Sequence, residues 1–443
     1  MSNSTPTSRD RPRRRLAHEE YAVARVYLWE HEVGAVAESA SGEITFEYAE
    51  SFRRSALEIS PVHLPLSTEG PRIFPELRRS ESFAGLPGVL ADCLPDAFGT
   101  AAIRAYFERS GRPTAALSPV QKLLYIGNRA MGALEFRPAL ERRTRAADEA
   151  LEIRALWEDA RRLVDGDADL VIPEMIRISA SAGGARAKAL VLWNAERARL
   201  KSAFAPREHG DEHWLLKFDG VSDGEGGPVA RKQDAPGPYG RTEYAYAQMA
   251  RRAGIEMPAT HLLHERSYAH FMVQRFDRVG DTRVHLHSLG GLLHADYRQP
   301  GVTSYEEYLR AVRELGMAQP DVEQAYRRMV FNLAARNQDD HVKNLAFLMD
   351  ERGTWRLAPA FDVTWAVGRH WTRTHQMRAN GKVDGFTRDD LLHVGSRFDV
   401  RRDGAEILDE VDDALHRWDI EAEAAGLESD WIALLRAQFR HFA

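Results

Sequence analysis

Residues 337–344 read NQDDHVKN. Two aspartates, a histidine, a lysine and two asparagines in eight positions suit solvent or chemistry, not an apolar core. Asp339 and Asn344 stand in D-x-x-x-x-N spacing, and another acid, Asp362, follows an apolar–turn–apolar stretch. Phosphoryl transfer from ATP asks for such a set: oxygen ligands that hold Mg²⁺ against the phosphates, and a carboxylate facing the attacking hydroxyl. Spacing makes Asp339 the candidate base. Asn344 and Asp362 are candidate Mg²⁺ ligands, since hard oxygen donors suit that ion. Asp340 falls one position short of the spacing and is read as a neighbour that shapes the local field. Zinc is the competing metal, with nitrogens from His341 and from His285, His287 and His294 of VHLHSLGGLLHAD. No Cys- or Glu-bearing zinc pattern accompanies them. Those three histidines are read as a strand and helix surface, and His341 as a packing and hydrogen-bonding residue of the loop.

An ATP site also needs a lysine on a buried strand, paired with a helix glutamate. HWLLKFDG places Lys217 among Trp214, Leu215, Leu216 and Phe218. A buried charge there costs several kcal/mol unless paired. Glu243 in the next helical segment is the natural partner; the plainer alternative is a strand-end lysine that snorkels. Small residues let backbone N–H groups approach phosphate closely. SAGGARAK, residues 181–188, has that character, with Gly183, Gly184, Ala185 and Lys188 as candidate phosphate contacts, although it is not a P-loop. Gln274 to Phe276 of VQRFDR fall where two lobes would hinge and offer backbone groups and an aromatic edge to adenine.

The elements that must position these groups follow from periodicity. DVEQAYRRMVFNLAARN repeats apolar residues at Val322, Tyr326, Met329, Val330 and Leu333, which predicts a helix ending near Asn337. Leu345 to Leu348 read as a short strand, DERG as a turn and Trp355 to Leu357 as the returning strand. HWLLKFDG and YAHFMVQRFDR read as strands, and TEYAYAQMARRAGI between them as a helix. Nearer the start, YAVARVYLWEHEVGAVAES and GEITFEYAE alternate with period two and predict paired strands. The segment after Leu86 turns helical, with Phe98, Ile103, Tyr106 and Phe107 on one stripe. The expected layout is a disordered basic tail over 1–19 and a small α/β domain over 20–140. A strand-bearing lobe follows over 141–275, then a helical lobe over 276–443. The glycine- and proline-rich stretch at 219–241 reads as a long loop.

The 443-residue length asks for two or three domains. A lone cysteine, Cys93, excludes a disulfide framework within the chain and fits a reducing compartment. The formal net charge of −6 argues against a surface built for nucleic acid, apart from the basic tail SRDRPRRR. No apolar run is long enough to span a bilayer and no signal-peptide pattern is present, so a soluble, cytoplasmic protein is expected.

Taken together and in order, SAGGARAK, LLKF, TEYAYAQMARRAGI, VQRFDR, NQDDHVKN, LAPAFD and HQMRANGK resemble the HipA-type serine/threonine kinases, the toxins of type II toxin–antitoxin systems. YLWEHEVGAVAES and LPGVLADCLPDAFG are similar to that family's N-terminal domain, so the resemblance covers about residues 20–443. It implies an α+β, protein-kinase-like two-lobed fold with a small N-terminal α/β domain and a mostly α-helical C-terminal lobe. It implies ATP and Mg²⁺ as cofactors, with Asp339 as base, Asn344 and Asp362 on the metal and Lys217 on the phosphates. Ser181 matches the autophosphorylated serine of a loop whose ejection switches the kinase off. His341 and Lys343 match further signature positions, Lys343 toward the γ-phosphate. Gln274 replaces a glutamate, and Arg186 a glutamine, of some members. The implied partners are a HipB-like helix-turn-helix antitoxin, operator DNA through that antitoxin, and an aminoacyl-tRNA synthetase as substrate. A phosphotransferase for a small molecule or lipid, and a non-catalytic docking partner, are the competing readings.

Overall fold

The computed structural model describes residues 22–109, 117–139, 150–165, 175, 178, 186–221, 238–368 and 371–442. The basic tail and most of the 219–241 loop therefore lie outside the described residues.

The first sheet has the order β4-β3-β2-β1-β5, from β1 (Ala22–Leu28), β2 (His31–Glu38), β3 (Ile44–Tyr48), β4 (Arg72–Ile73) and β5 (Leu134–Arg137). In β1, Ala24, Val26 and Leu28 are buried while Val23 and Arg25 face solvent, the two-residue alternation of a sheet with one covered face. The cover is the short helix Gly88–Ala91 and the helix Pro119–Ile126. Ser118 and Gln121 start the latter with a reciprocal capping box, which satisfies two otherwise orphaned amides.

The second sheet has the order β7-β6-β8-β10-β9, from β6 (Lys188–Asn194), β7 (Arg199–Ser202), β8 (Asp211–Lys217), β9 (Thr260–Glu265) and β10 (Tyr268–Gln274). Every residue of β6 is buried, so the strand is covered on both faces. Ala189, Val191, Trp214, Leu216 and Met272 pack on the helices Ala97–Arg109 and Ile153–Asp165. The helix Ala97–Arg109, which precedes β5 in the chain, thus joins the core of the second sheet. Lys188, Lys217 and Phe271 stand directly opposite one another across three strands and share the other face.

A small hairpin, β11 (Arg278–Val279) and β12 (Thr282–Arg283), leads to a third sheet, β13 (His285–Ser288), β14 (Ala346–Met349) and β15 (Trp355–Leu357). The rest is helical: Tyr305–Glu314, Gln319–Ala334, Arg388–Arg397, Ala405–His416, Trp418–Ala424 and Ser429–Arg436 surround the largest core. The helix Tyr239–Arg252 gives Ala245, Tyr246, Met249 and Ala250 to that core. The long helix stops at Ala334, three residues before the expected end near Asn337. Arg336 takes a left-handed conformation (φ 61°) and the Asn337 amide folds back to the Asn332 carbonyl, so the chain leaves the helix axis there.

The three histidines expected on a strand and helix surface are instead the seam between the first sheet's domain and the rest. His285 and His287 are fully buried. His285 Nε2 meets the Ile59 carbonyl at 3.0 Å, and His287 sits between Asp92 (2.7 Å) and Ser60 (3.0 Å). His294 Nε2 accepts the Gly88 amide at 3.0 Å and stacks on His63. Each bonds a residue about 200 positions away, which local periodicity does not report. At the same seam Gly88 meets Gly291 so closely that a Cβ on Gly88 would lie 1.9 Å from the Gly291 carbonyl oxygen.

Candidate active site

Lys217 ends β8 at the point where the second sheet meets the helical lobe. Its Nζ donates to Glu243 Oε1 at 2.6 Å and to Asp362 Oδ1. Burial works against the ammonium, but the Asp362 and Glu243 carboxylates outweigh it and hold the amine above its ordinary range. Burial likewise works against the Asp362 carboxylate, yet Lys217, Lys188 and His341 hold the carboxyl below its ordinary range. Glu243 is buried, and its second oxygen lies 3.8 Å from Arg186. Asp362 itself is left-handed (φ 52°), a conformation that costs of order 1 kcal/mol for a residue with a Cβ. The long-range pairing of Lys217, and not side-chain snorkelling, answers the charge on the buried strand.

Lys188 stands beside Lys217 on β6 and is almost fully buried. Its Nζ donates to Asp96 at 2.9 Å, a residue at the start of the helix Ala97–Arg109. Burial pushes the lysine down and the aspartic acid up, so both move toward neutrality. No pattern in the sequence singled out Asp96; the contact spans 92 positions.

The two aspartates of the loop have different surroundings. Asp340 is buried and fully engaged: the Tyr305 hydroxyl (2.7 Å) and His375 Nδ1 (2.9 Å) meet Oδ2, and the Gln376 amide donates to Oδ1 at 2.7 Å. It fixes the loop to the segment after Asp362. The Gln338 amide donates to the Ala366 carbonyl at 3.1 Å, and the Ala366 amide to Arg336 at 3.2 Å, a second clamp. Asp339 is 41% exposed at its side chain and accepts the Trp371 indole N–H on Oδ1 at 3.1 Å. His341 Nε2 lies 3.7 Å from the same oxygen. The Asn344 side-chain amide N–H donates to the Asp339 carbonyl at 2.9 Å, so its Oδ1 is the atom of that side chain that can accept or ligate a metal. Lys343 Nζ lies 5.1 Å from the Tyr297 ring centre, and the His341 ring 5.2 Å from it. An amide oxygen on Asn344 and a carboxylate on Asp362 are ligands that suit Mg²⁺.

At the hinge, the Gln274 amide donates to Ala259 (2.9 Å) and the Arg275 amide to His213 (2.8 Å). Of the backbone groups expected at Gln274 to Phe276, these two amides are already taken up by neighbouring strands. Phe276 packs on Phe361 with ring centres 5.5 Å apart, beside Val284, Leu286 and Leu348, an apolar floor next to Asp362. Arg275 and Arg278 both turn the other way, onto the buried Asp277. Ser181, Gly183, Gly184 and Ala185 lie outside the described residues. His285, His287 and His294 form no metal-ligating cluster with His341 among the described residues, so the zinc alternative loses its ligand set. Trp371, Tyr297, Tyr305 and His375 were not anticipated. His375 and Gln376 did lie inside HQMRANGK, whose role spacing could not show.

Residues 180–418 match the HipA-like C-terminal domain and residues 24–137 the HipA N-terminal domain. The structure is similar to a chain of the Shewanella oneidensis MR-1 complex of HipA, HipB and operator DNA, with TM-score 0.64 and 16% identity over 94% of this chain and 95% of that one. A Helicobacter pylori proinflammatory kinase, CtkA, aligns at TM-score 0.32 and 13% identity, over 52% of this chain and 88% of that one. In sequence, Y4dM of Sinorhizobium fredii, whose name marks it provisionally as a kinase, is 25% identical over 188 residues, 36% of this chain. That match spans 42% of the relative's length. With its C-terminal domain matched over more than half the sequence and its N-terminal domain matched as well, the chain belongs to the HipA family.

Proposed function

We propose that this chain is an ATP- and Mg²⁺-dependent protein serine/threonine kinase, the toxin of a type II toxin–antitoxin pair. The observation that carries the reading is Lys217, held between Glu243 of one helix and Asp362 of the segment after β15. One lysine thereby ties the sheet to the acid that would bind the metal. Lys217 would place the α- and β-phosphates, with Lys188 beside it. Asn344 and Asp362 would hold Mg²⁺, which when bound supplies charge neutralisation across the phosphate oxygens. Phe276 and Phe361 would lie against adenine. Asp339 keeps its carboxylate partly exposed, where it would orient a hydroxyl and take its proton. The acceptor oxygen bonds to the γ-phosphorus as the bond to the β–γ bridging oxygen breaks. The electron pair leaves with ADP and the hydroxyl proton goes to Asp339. General-base assistance of this kind contributes about 10²–10⁴ in rate. Lys343 would stand by the γ-phosphate, and Ser181 would be the autophosphorylated residue.

The likeness to the Shewanella complex supports a HipB-like antitoxin as partner, with operator DNA reached through it. An aminoacyl-tRNA synthetase is the proposed substrate on the family resemblance. The test has two arms. Calorimetry of the purified chain should show ATP binding that needs Mg²⁺ and is lost in Lys217→Met. Expression without an antitoxin should arrest growth, and Asp339→Asn should not. Equal arrest by both would remove catalysis from the account.

A further inference from the structure

Trp371 is the one exposed tryptophan among the described residues, and it sits on the candidate base. Exposing an indole forgoes one of the largest gains that burial offers, so its position asks for a reason. The placement is built. The Trp371 carbonyl accepts Gln376 Nε2 at 2.7 Å, and the Gln376 amide is bound to Asp340 at 2.7 Å. The two adjacent acids of the loop therefore grip the two ends of one short segment: Asp340 at Gln376, Asp339 at the indole. Tyr297 adds a second ring, 6.1 Å from the indole in an edge-on arrangement. Lys343 and Arg298 lie near Tyr297, at 5.1 and 5.8 Å from its ring centre.

Resting on the kinase reading above, we propose that Trp371 is the acceptor-recognition residue of this site. Without acceptor, the indole N–H holds Asp339 Oδ1, the carboxylate that the acceptor hydroxyl needs. The acceptor segment exchanges that hydrogen bond for its own hydroxyl, and a neighbouring apolar or aromatic side chain of the acceptor stacks on the exposed indole. The preferred acceptor is thus a serine or threonine flanked by an apolar or aromatic residue. Water lacks that flanking group and does not displace the indole, which restrains hydrolysis of ATP.

Two substitutions separate the parts. Trp371→Phe keeps an aromatic surface and removes the N–H; Trp371→Ala removes both. Release of ADP from Mg²⁺-ATP is measured without acceptor. Phosphate incorporation is then measured into a synthetic peptide library with fixed serine or threonine and varied flanking residues. A charge-assisted hydrogen bond lost from the base should raise acceptor-free hydrolysis about tenfold in both variants. The flanking preference should survive in Trp371→Phe. In Trp371→Ala it should flatten, with KM for the preferred peptide rising about three- to tenfold and a smaller change in kcat. Wild-type hydrolysis and unchanged preference in both variants, with Mg²⁺-ATP still bound, would overturn the role of Trp371 alone. A wild-type chain that binds no Mg²⁺-ATP would overturn the kinase reading itself.

Discussion

The cleft and the domain seam both bury acids beside cations, and they do so in opposite ways. At the seam, Asp277 is wholly buried and accepts from Arg275 Nε and Nη2, Arg278 Nη1 and the Gly132 amide, all at 2.7–2.9 Å. Burial works against its charge, but the two guanidinium groups outweigh it and hold the carboxyl far below its ordinary range. Asp92 nearby is engaged by His287 and twice by Ser288. In the cleft, Asp339 is half exposed with one indole on it, and Asp362 shares a single lysine with Glu243. Saturated acids hold segments together, as Asp340 does even beside Asp339; acids with an open side are able to exchange partners. The difference separates structure from chemistry more sharply than residue type does.

The largest effect should come from breaking the seam. Asp277→Ala leaves two buried guanidinium groups without their carboxylate and should lower stability by about 3–5 kcal/mol in urea denaturation. A loss under about 1 kcal/mol would mean the seam is no more committed than the cleft. The mirror experiment is Asp339→Asn, which should lower phosphate transfer at least about 100-fold while unfolding stays within about 0.5 kcal/mol of wild type. Matching losses of stability in both variants would erase the distinction. Gly88→Ala drives a methyl into the Gly291 carbonyl and should destabilise by about 1–3 kcal/mol, as overpacking does.

The smallest effect is a pH slope. Burial pushes His285 down to about 4, with His287 adding to the shift while the Ile59 carbonyl and Asp92 oppose it. The folded chain therefore keeps this ring neutral while the unfolded chain protonates it below its ordinary value of about 6.5. The unfolded state binds more protons in that window, so stability falls as pH falls from about 6.5 toward 4. Between pH 7 and 5.5 this ring's share of the loss should be about 1 kcal/mol. His285→Asn should reduce that slope; an identical slope would place the acid sensitivity elsewhere.

What was legible in the sequence was local. The helix–loop–hairpin order around residues 337–344 followed from apolar spacing, and the returning strand Trp355–Leu357 stands where periodicity put it. The neighbouring strand is shifted by one residue, to Ala346–Met349. The different surroundings of Asp339 and Asp340 were only half visible. Spacing chose the first, but nothing local showed Tyr305 and His375 closing on the second across 35 positions in either direction. Asp96 on Lys188 and the seam histidines were hidden for the same reason: each depends on contacts between distant segments, which leave no period in the chain. The helix end at Ala334 was missed because a left-handed arginine stands where glycine is the usual signal.

The central claim is that the open acids of the cleft transfer phosphate. Incubating the purified chain with labelled ATP and Mg²⁺, then mapping phosphate by mass spectrometry, tests it most directly. Phosphate on Ser181 of the wild type and none on Asp339→Asn is the predicted result. A wild type that binds Mg²⁺-ATP yet carries no phosphate, or an Asp339→Asn chain labelled as strongly as wild type, would contradict it.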